Sequence, residues 1–185
     1  MNHKIIICFS LSITLQVSVL IGEFISHMYP HWTGEEVLLN IRPVDPRSLF
    51  RGQYVRLDYN LNSISNKIVS KFEKDKPVLK HGQIIYISLV TKDGISFPDD
   101  VFLIKPYGLR SIQGRIDRKY LRSRYNNKPY PPKIKLGIEA YFASPENAKR
   151  IENSIRNTRN NNTPIARVML ASNGKAALKE LLINR

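Results

Sequence analysis

Eighteen consecutive residues, Ile5 to Gly22, carry no charge, and this run constrains the chain more than any other feature. A helix needs roughly 20 apolar residues to cross about 30 Å of hydrocarbon, so the run is sized for a bilayer. Ser10, Ser12, Thr14 and Ser18 fit such a helix because hydroxyls bond back to helix carbonyls. Gln16 is its costly member and is expected to face a partner helix. Cys8, the one cysteine, lies inside the run and reads as an apolar thiol that supports no intrachain disulfide. Tyr29 and Trp32 suit an aromatic belt at the far interface.

We therefore expect an uncleaved N-terminal membrane anchor over residues 1–28 and one domain over 29–185. A cleaved signal peptide is the alternative, but no small-x-small cleavage site follows the run. Lys4 precedes the run, and Glu23, Glu35 and Glu36 follow it. The positive-inside rule then places the N-terminus in the cytoplasm and the domain outside, as a single-pass protein.

The domain reads as mainly β. Apolar and polar residues alternate over 36–42, 53–61, 83–91, 99–105, 111–117, 133–142, 165–171 and 176–182. Val37, Leu39 and Ile41 share one face; so do Ile85, Ile87 and Leu89, and likewise Ile112, Gly114 and Ile116. Asp93-Gly94 and Asn173-Gly174 mark hairpin turns. One short helix is expected near 145–157, with Ser144 as its cap, Pro145 at its first position and Ala148, Ile151 and Ile155 as its apolar stripe. Residues 62–80 and 119–132 read as polar loops. Antiparallel strands in this number hide their edges in a barrel-like arrangement or a sandwich, and we favour the barrel-like one.

A second reading comes from particular residues. Pro43-Val44-Asp45-Pro46-Arg47-Ser48-Leu49-Phe50-Arg51 leads into Gly52-Gln53-Tyr54-Val55-Arg56-Leu57-Asp58-Tyr59. Much later comes Gly137-Ile138-Glu139-Ala140-Tyr141-Phe142, followed by the expected helix. The pattern Gly-x-Tyr-x-x-Leu-x-Tyr, with these flanks and the anchor, resembles the signature of the GDYXXLXY family, bacterial membrane-anchored proteins of unassigned activity. The resemblance implies a single-span component of a membrane complex, with a multi-span membrane protein as partner. Its motif residues are Gly52, Gln53, Tyr54, Leu57 and Tyr59, with a structural or interaction role. Gln53 stands where the family's name has Asp. A neutral amide neither accepts charged hydrogen bonds nor binds metal as a carboxylate does, so catalysis here does not depend on a carboxylate at that position. The anchor and the external β domain are also loosely similar to signal peptidase I, which would make Ser48 and a lysine such as Lys105 a candidate dyad.

The net charge of +14 points to anionic partners. Its densest expression is a basic stretch, Arg110, Arg115, Arg118, Lys119, Arg122, Arg124, Lys128, Lys133 and Lys135, interleaved with Tyr120, Tyr125 and Tyr130. Cations with aromatics serve single-stranded nucleic acid, but an external address favours anionic lipid or a cell-wall polymer. His27 and His31 stand four apart, although Pro30 is expected to break a helix between them. His81 sits in a turn with Gly82, and Asp99-Asp100 reads as a turn or strand edge with a weak claim to a cation. No motif calls for a metal or a cofactor. The sequence assigns no reaction, and its features favour a binding or scaffold protein over an envelope hydrolase or a nucleic-acid binder.

Overall fold

A computed structural model describes residues 3–42, 54–59, 80–118, 121–122, 129–130, 133–144, 146–147, 150–151 and 164–182. The apolar run forms α1, His3–Thr33, of 31 residues. Ser12, Thr14 and Ser18 donate to the carbonyls four residues back, which satisfies their hydroxyls inside the helix. The helix does not break at Pro30. It runs through to Thr33, and His27 and His31 sit exposed on it. Pro30 is instead the one buried residue of α1, and its carbonyl accepts the Gly34 amide at 2.9 Å. Burial of the ring against the domain compensates the missing proline donor.

Gly34 alone separates α1 from the first strand, β1 (Glu35–Arg42). A Cβ at this position would lie 2.3 Å from the Pro30 carbonyl oxygen and 3.0 Å from the Leu170 amide nitrogen. Only glycine permits that approach of helix end to sheet. Lys175 donates to Ser26 at 2.6 Å, and Ser172 hydrogen-bonds the Tyr29 phenol. The foot of the helix is thus built into the domain.

Alternation produces the strands as expected, and pairing subdivides some of them. β2 (Tyr54–Arg56) and β3 (Asp58–Tyr59) come from the single run expected over 53–61. β4 (Ile84–Lys92) and β5 (Ile95–Phe102) form a hairpin through Asp93-Gly94, both at positive φ. β5 therefore starts before the expected Asp99. Pro98 is tolerated within it because it sits beside a register shift between Ile87 and Leu89. There Ser88, buried, accepts the Asp100 amide at 2.9 Å, while the Asp100 carboxylate accepts the Val101 amide. β6 (Ser111–Arg118) follows. The expected loop over 119–132 contains a two-residue pairing of β7 (Leu121–Arg122) with β8 (Pro129–Tyr130). The run expected over 133–142 splits into β9 (Lys133–Lys135) and β10 (Ala140–Phe142). β11 (Ile165–Leu170) and β12 (Ala176–Leu182) form the final hairpin. Of the short helix, Glu146, Asn147, Arg150 and Ile151 are helical, Ile151 is buried, and Ser144 Oγ accepts the Asn147 amide as its cap. Ala148 and Ile155 lie outside the described residues.

The main sheet has the order β12-β11-β1-β5-β4-β6-β9, with β3 added beside the end of β1. All its pairings are antiparallel except β1–β5, which meets at Leu39↔Ser96. Register shifts in β4–β5, β6–β9 and β11–β12 bend the strands, and the sheet curls into a half-barrel. At one end the β11–β12 turn reaches across to β6, where the Gln113 amide donates to the Gly174 carbonyl at 2.7 Å. The inner face carries the core: Val37, Leu39 and Ile41 of β1 and Ile85, Ile87 and Leu89 of β4, closed by Ile112, Ile116, Ala166 and Val168. The phase read from the sequence is the phase observed.

Candidate functional site

The two sequence patterns of the resemblance, Gly52–Tyr59 and Gly137–Phe142, lie far apart in the chain and are clasped together. β2 pairs antiparallel with β10, setting Tyr54 opposite Phe142, Val55 opposite Tyr141 and Arg56 opposite Ala140. The Leu57 amide extends this ladder by donating to the Glu139 carbonyl at 2.8 Å. The chain then changes partner: Asp58 and Tyr59 pair with Arg42 and Ile41 of β1. Leu57 sits at the switch, 2% exposed, inside the core. Tyr59 is 3% exposed, and its hydroxyl donates to the Ile138 carbonyl at 2.7 Å. Burial, and secondarily the Glu139 charge, push this phenol well above the ordinary tyrosine range, so it stays a donor.

Gly137 makes the receiving side possible. Its φ of 83° ends β9 and turns the chain so that the Ile138 and Glu139 carbonyls face the motif strand. The Glu139 carboxylate folds back and accepts the Leu136 and Gly137 amides, the second at 3.0 Å. Glu139 thus holds the turn with its side chain and the motif strand with its backbone. Sequence reasoning passed over Glu139; its signal is a carboxylate two residues after a glycine that interrupts strand alternation. Ile138 is buried, Tyr141 packs against the core, and Phe142 is exposed. The assembly is a structural clasp: the β2–β10 ladder, the Tyr59 hydroxyl on the Ile138 carbonyl and the Glu139 turn lock hold it together.

Gly52 and Gln53 lie outside the described residues, and Tyr54 is placed by its backbone pairing alone. Of the basic stretch, Lys119, Arg124 and Lys128 lie outside the described residues, and Arg118 and Arg122 are placed in β6 and β7 by their backbone. The structure brings three members together: Arg115 is opposite Lys135, Lys133 is two residues along the same strand, and all three are exposed. Lys135 pairs with Asp117 at 2.8 Å, and with Lys133 and His81 nearby it holds that carboxyl below its usual range. The His81 ring lies over the Asp117 carbonyl and donates to it. Arg110 is elsewhere, at the foot of α1, paired with Glu35 at 2.9 Å.

For the other candidates, Asp99 and Asp100 lie in β5, and no group of three or more His, Cys, Asp or Glu side chains is arranged for a metal among the described residues. Ser48 lies outside the described residues. Lys105 is solvent-exposed after β5, where nothing desolvates the amine as a lysine base requires.

The sequence profile of the family described as GDYXXLXY protein matches residues 16–181. This chain belongs to the GDYXXLXY family. The match takes in both halves of the clasp and the second half of α1. No functionally curated protein and no solved structure matches the chain. Within the family signature, then, Leu57 and Tyr59 are fold-forming residues here.

Proposed function

We propose that this GDYXXLXY protein is a single-span, membrane-anchored binding component of an envelope complex, with no catalytic role for its signature motif. The observation that carries the reading is the foot of α1. Above it the helix is apolar and uncovered by the domain; at it, Pro30 is buried, Gly34 is sterically obligatory, and Lys175 and Ser172 bind the last turns. A leader to be cut away has no use for such joinery, whereas an anchor that orients its domain does. The division is an anchor through about residue 28, whose helix continues into the domain over 29–185. By the positive-inside rule the N-terminus is cytoplasmic and the domain extracytoplasmic.

Gln16 is the helix's means of hydrogen-bonding a multi-span partner within the bilayer. Arg115, Lys133 and Lys135 on β6 and β9 form an outward basic face suited to an anionic envelope polymer. An external address leaves nucleic acid without access to it. Co-purification from detergent-solubilised membranes tests the reading. A stoichiometric multi-span protein, lost on Gln16→Leu, is the expected result; an N-terminally processed protein free in the soluble fraction would overturn it. A C-terminal alkaline phosphatase fusion tests the topology and should be active.

A further inference from the structure

The loop from Leu103 to Arg110, between β5 and β6, belongs to neither the clasp nor the basic face. Four apolar side chains occur within its seven residues from Leu103 to Leu109, all turned outward. Ile104 is 82% exposed and Tyr107 is fully exposed, at 103%. Scattered surface apolar residues are ordinary, but a contiguous exposed group marks a contact surface. The loop's last residue is fixed twice. The Arg110 carbonyl accepts the Leu89 amide at 2.9 Å, and the Arg110 guanidinium pairs with Glu35, the second residue after α1. The end of the loop therefore lies at the foot of the helix.

We propose that the loop Leu103–Arg110 is a second membrane contact, seating Ile104 and Tyr107 in the phospholipid headgroup–acyl boundary beside α1. This rests on the reading of α1 as an anchor. The chemistry fits a lipid interface: aliphatic groups to enter the acyl boundary, a tyrosine with an apolar body and a wet tip, and an exposed Lys105 between them for anionic headgroups. The dimensions fit as well. A 31-residue helix is about 46 Å long, against about 40–45 Å for a bilayer with its headgroup regions. The foot of α1 then falls at headgroup level, with Arg110 and the end of the loop beside it. Two points of attachment would fix the domain's rotation about the helix axis, which one helix cannot do.

The test uses the full chain in phosphatidylcholine vesicles with and without phosphatidylglycerol, in a Cys8→Ala background. An environment-sensitive fluorophore is attached in turn at Leu15→Cys on α1, Ile104→Cys on the loop, and Lys133→Cys on β9. The expected result is a blue shift with a several-fold rise in emission at positions 15 and 104, and quenching of both by nitroxide lipids. Position 133 should stay aqueous. The rise at 104 should be larger with phosphatidylglycerol, and Lys105→Gln should remove that increment. A buried label at 15 with an aqueous label at 104 would overturn the loop contact alone and turn the surface over to a protein partner. Aqueous labels at both 15 and 104 would overturn the anchor reading and the loop contact with it. Equal responses at 104 and 133 would show non-specific adhesion and overturn the proposal.

Discussion

Tyr59 and Tyr107 mark the two contrasting regions of this molecule. In the clasp, Tyr59 is enclosed, its hydroxyl is committed to the Ile138 carbonyl, and its neighbours Leu57 and Ile138 are buried with it. In the loop that leads to Arg110, Tyr107 and Ile104 project into solvent, and the apolar helix surface is equally uncovered. The first region spends its apolar residues on the fold, and the second leaves them exposed. Leu57 and Tyr59 of the signature are interior while an unremarked loop is exterior, which teaches that these two recognisable residues are scaffold.

The contrast can be broken by substitution. Leu57→Ala should have the largest effect, about 2–5 kcal/mol of lost stability, because it opens a cavity where the chain passes from β10 to β1. Denaturant unfolding in detergent, followed by near-ultraviolet circular dichroism, measures it; a loss under about 1 kcal/mol would mean that the clasp is not core. Gly34→Ala should follow, at about 1–3 kcal/mol, since the added Cβ meets backbone on two sides. If that variant melts like the parent, the foot of the helix is looser than described.

Tyr59→Phe should lose about 1–3 kcal/mol near neutral pH by leaving the Ile138 carbonyl unpaired. Its pH dependence sharpens the point. The folded-state pKa of Tyr59 lies above the unfolded value, so its contribution is intact below about pH 10 and is lost as pH rises toward the folded value. The parent should therefore lose stability more steeply than Tyr59→Phe above that pH, in melts recorded as an alkaline series. Parallel curves would refute the buried donor. Tyr107→Ser belongs at the bottom of the scale, within about 0.5 kcal/mol of the parent. A large destabilisation there would erase the distinction between the two regions.

Much of the fold was legible because it rests on local periodicity. Val37-Leu39-Ile41 and Ile85-Ile87-Leu89 alternate with period two, and the same residues line the half-barrel. Asp93-Gly94 specified its hairpin for an equally local reason, positive φ at both positions. What escaped was decided by distant partners. Nothing near Leu57 announces that the chain changes sheets there, since the reason is where β10 and β1 lie. Gly137 looked like a strand residue until Glu139 was seen to cap the turn it makes. Pro30 was read as a helix breaker on local grounds, and burial against the domain overrode them. The basic stretch was legible as composition, yet the fold separates Arg110 from Arg115, Lys133 and Lys135.

The mixed direction of the main sheet has a mechanical consequence. α1 passes into β1 through a single glycine, so tension on the helix is delivered straight to that strand. On one side β1 is riveted to β11 over six residue pairs, a geometry that resists shear. On the other it meets β5 at one bridge, the natural tear line between β12-β11-β1 and β5-β4-β6-β9. Arg110–Glu35 and the Gln113–Gly174 hydrogen bond stitch that seam near the helix. A pull along the helix would strain those stitches before it disturbed the clasp, leaving Leu57 and Tyr59 in the unloaded part of the machine.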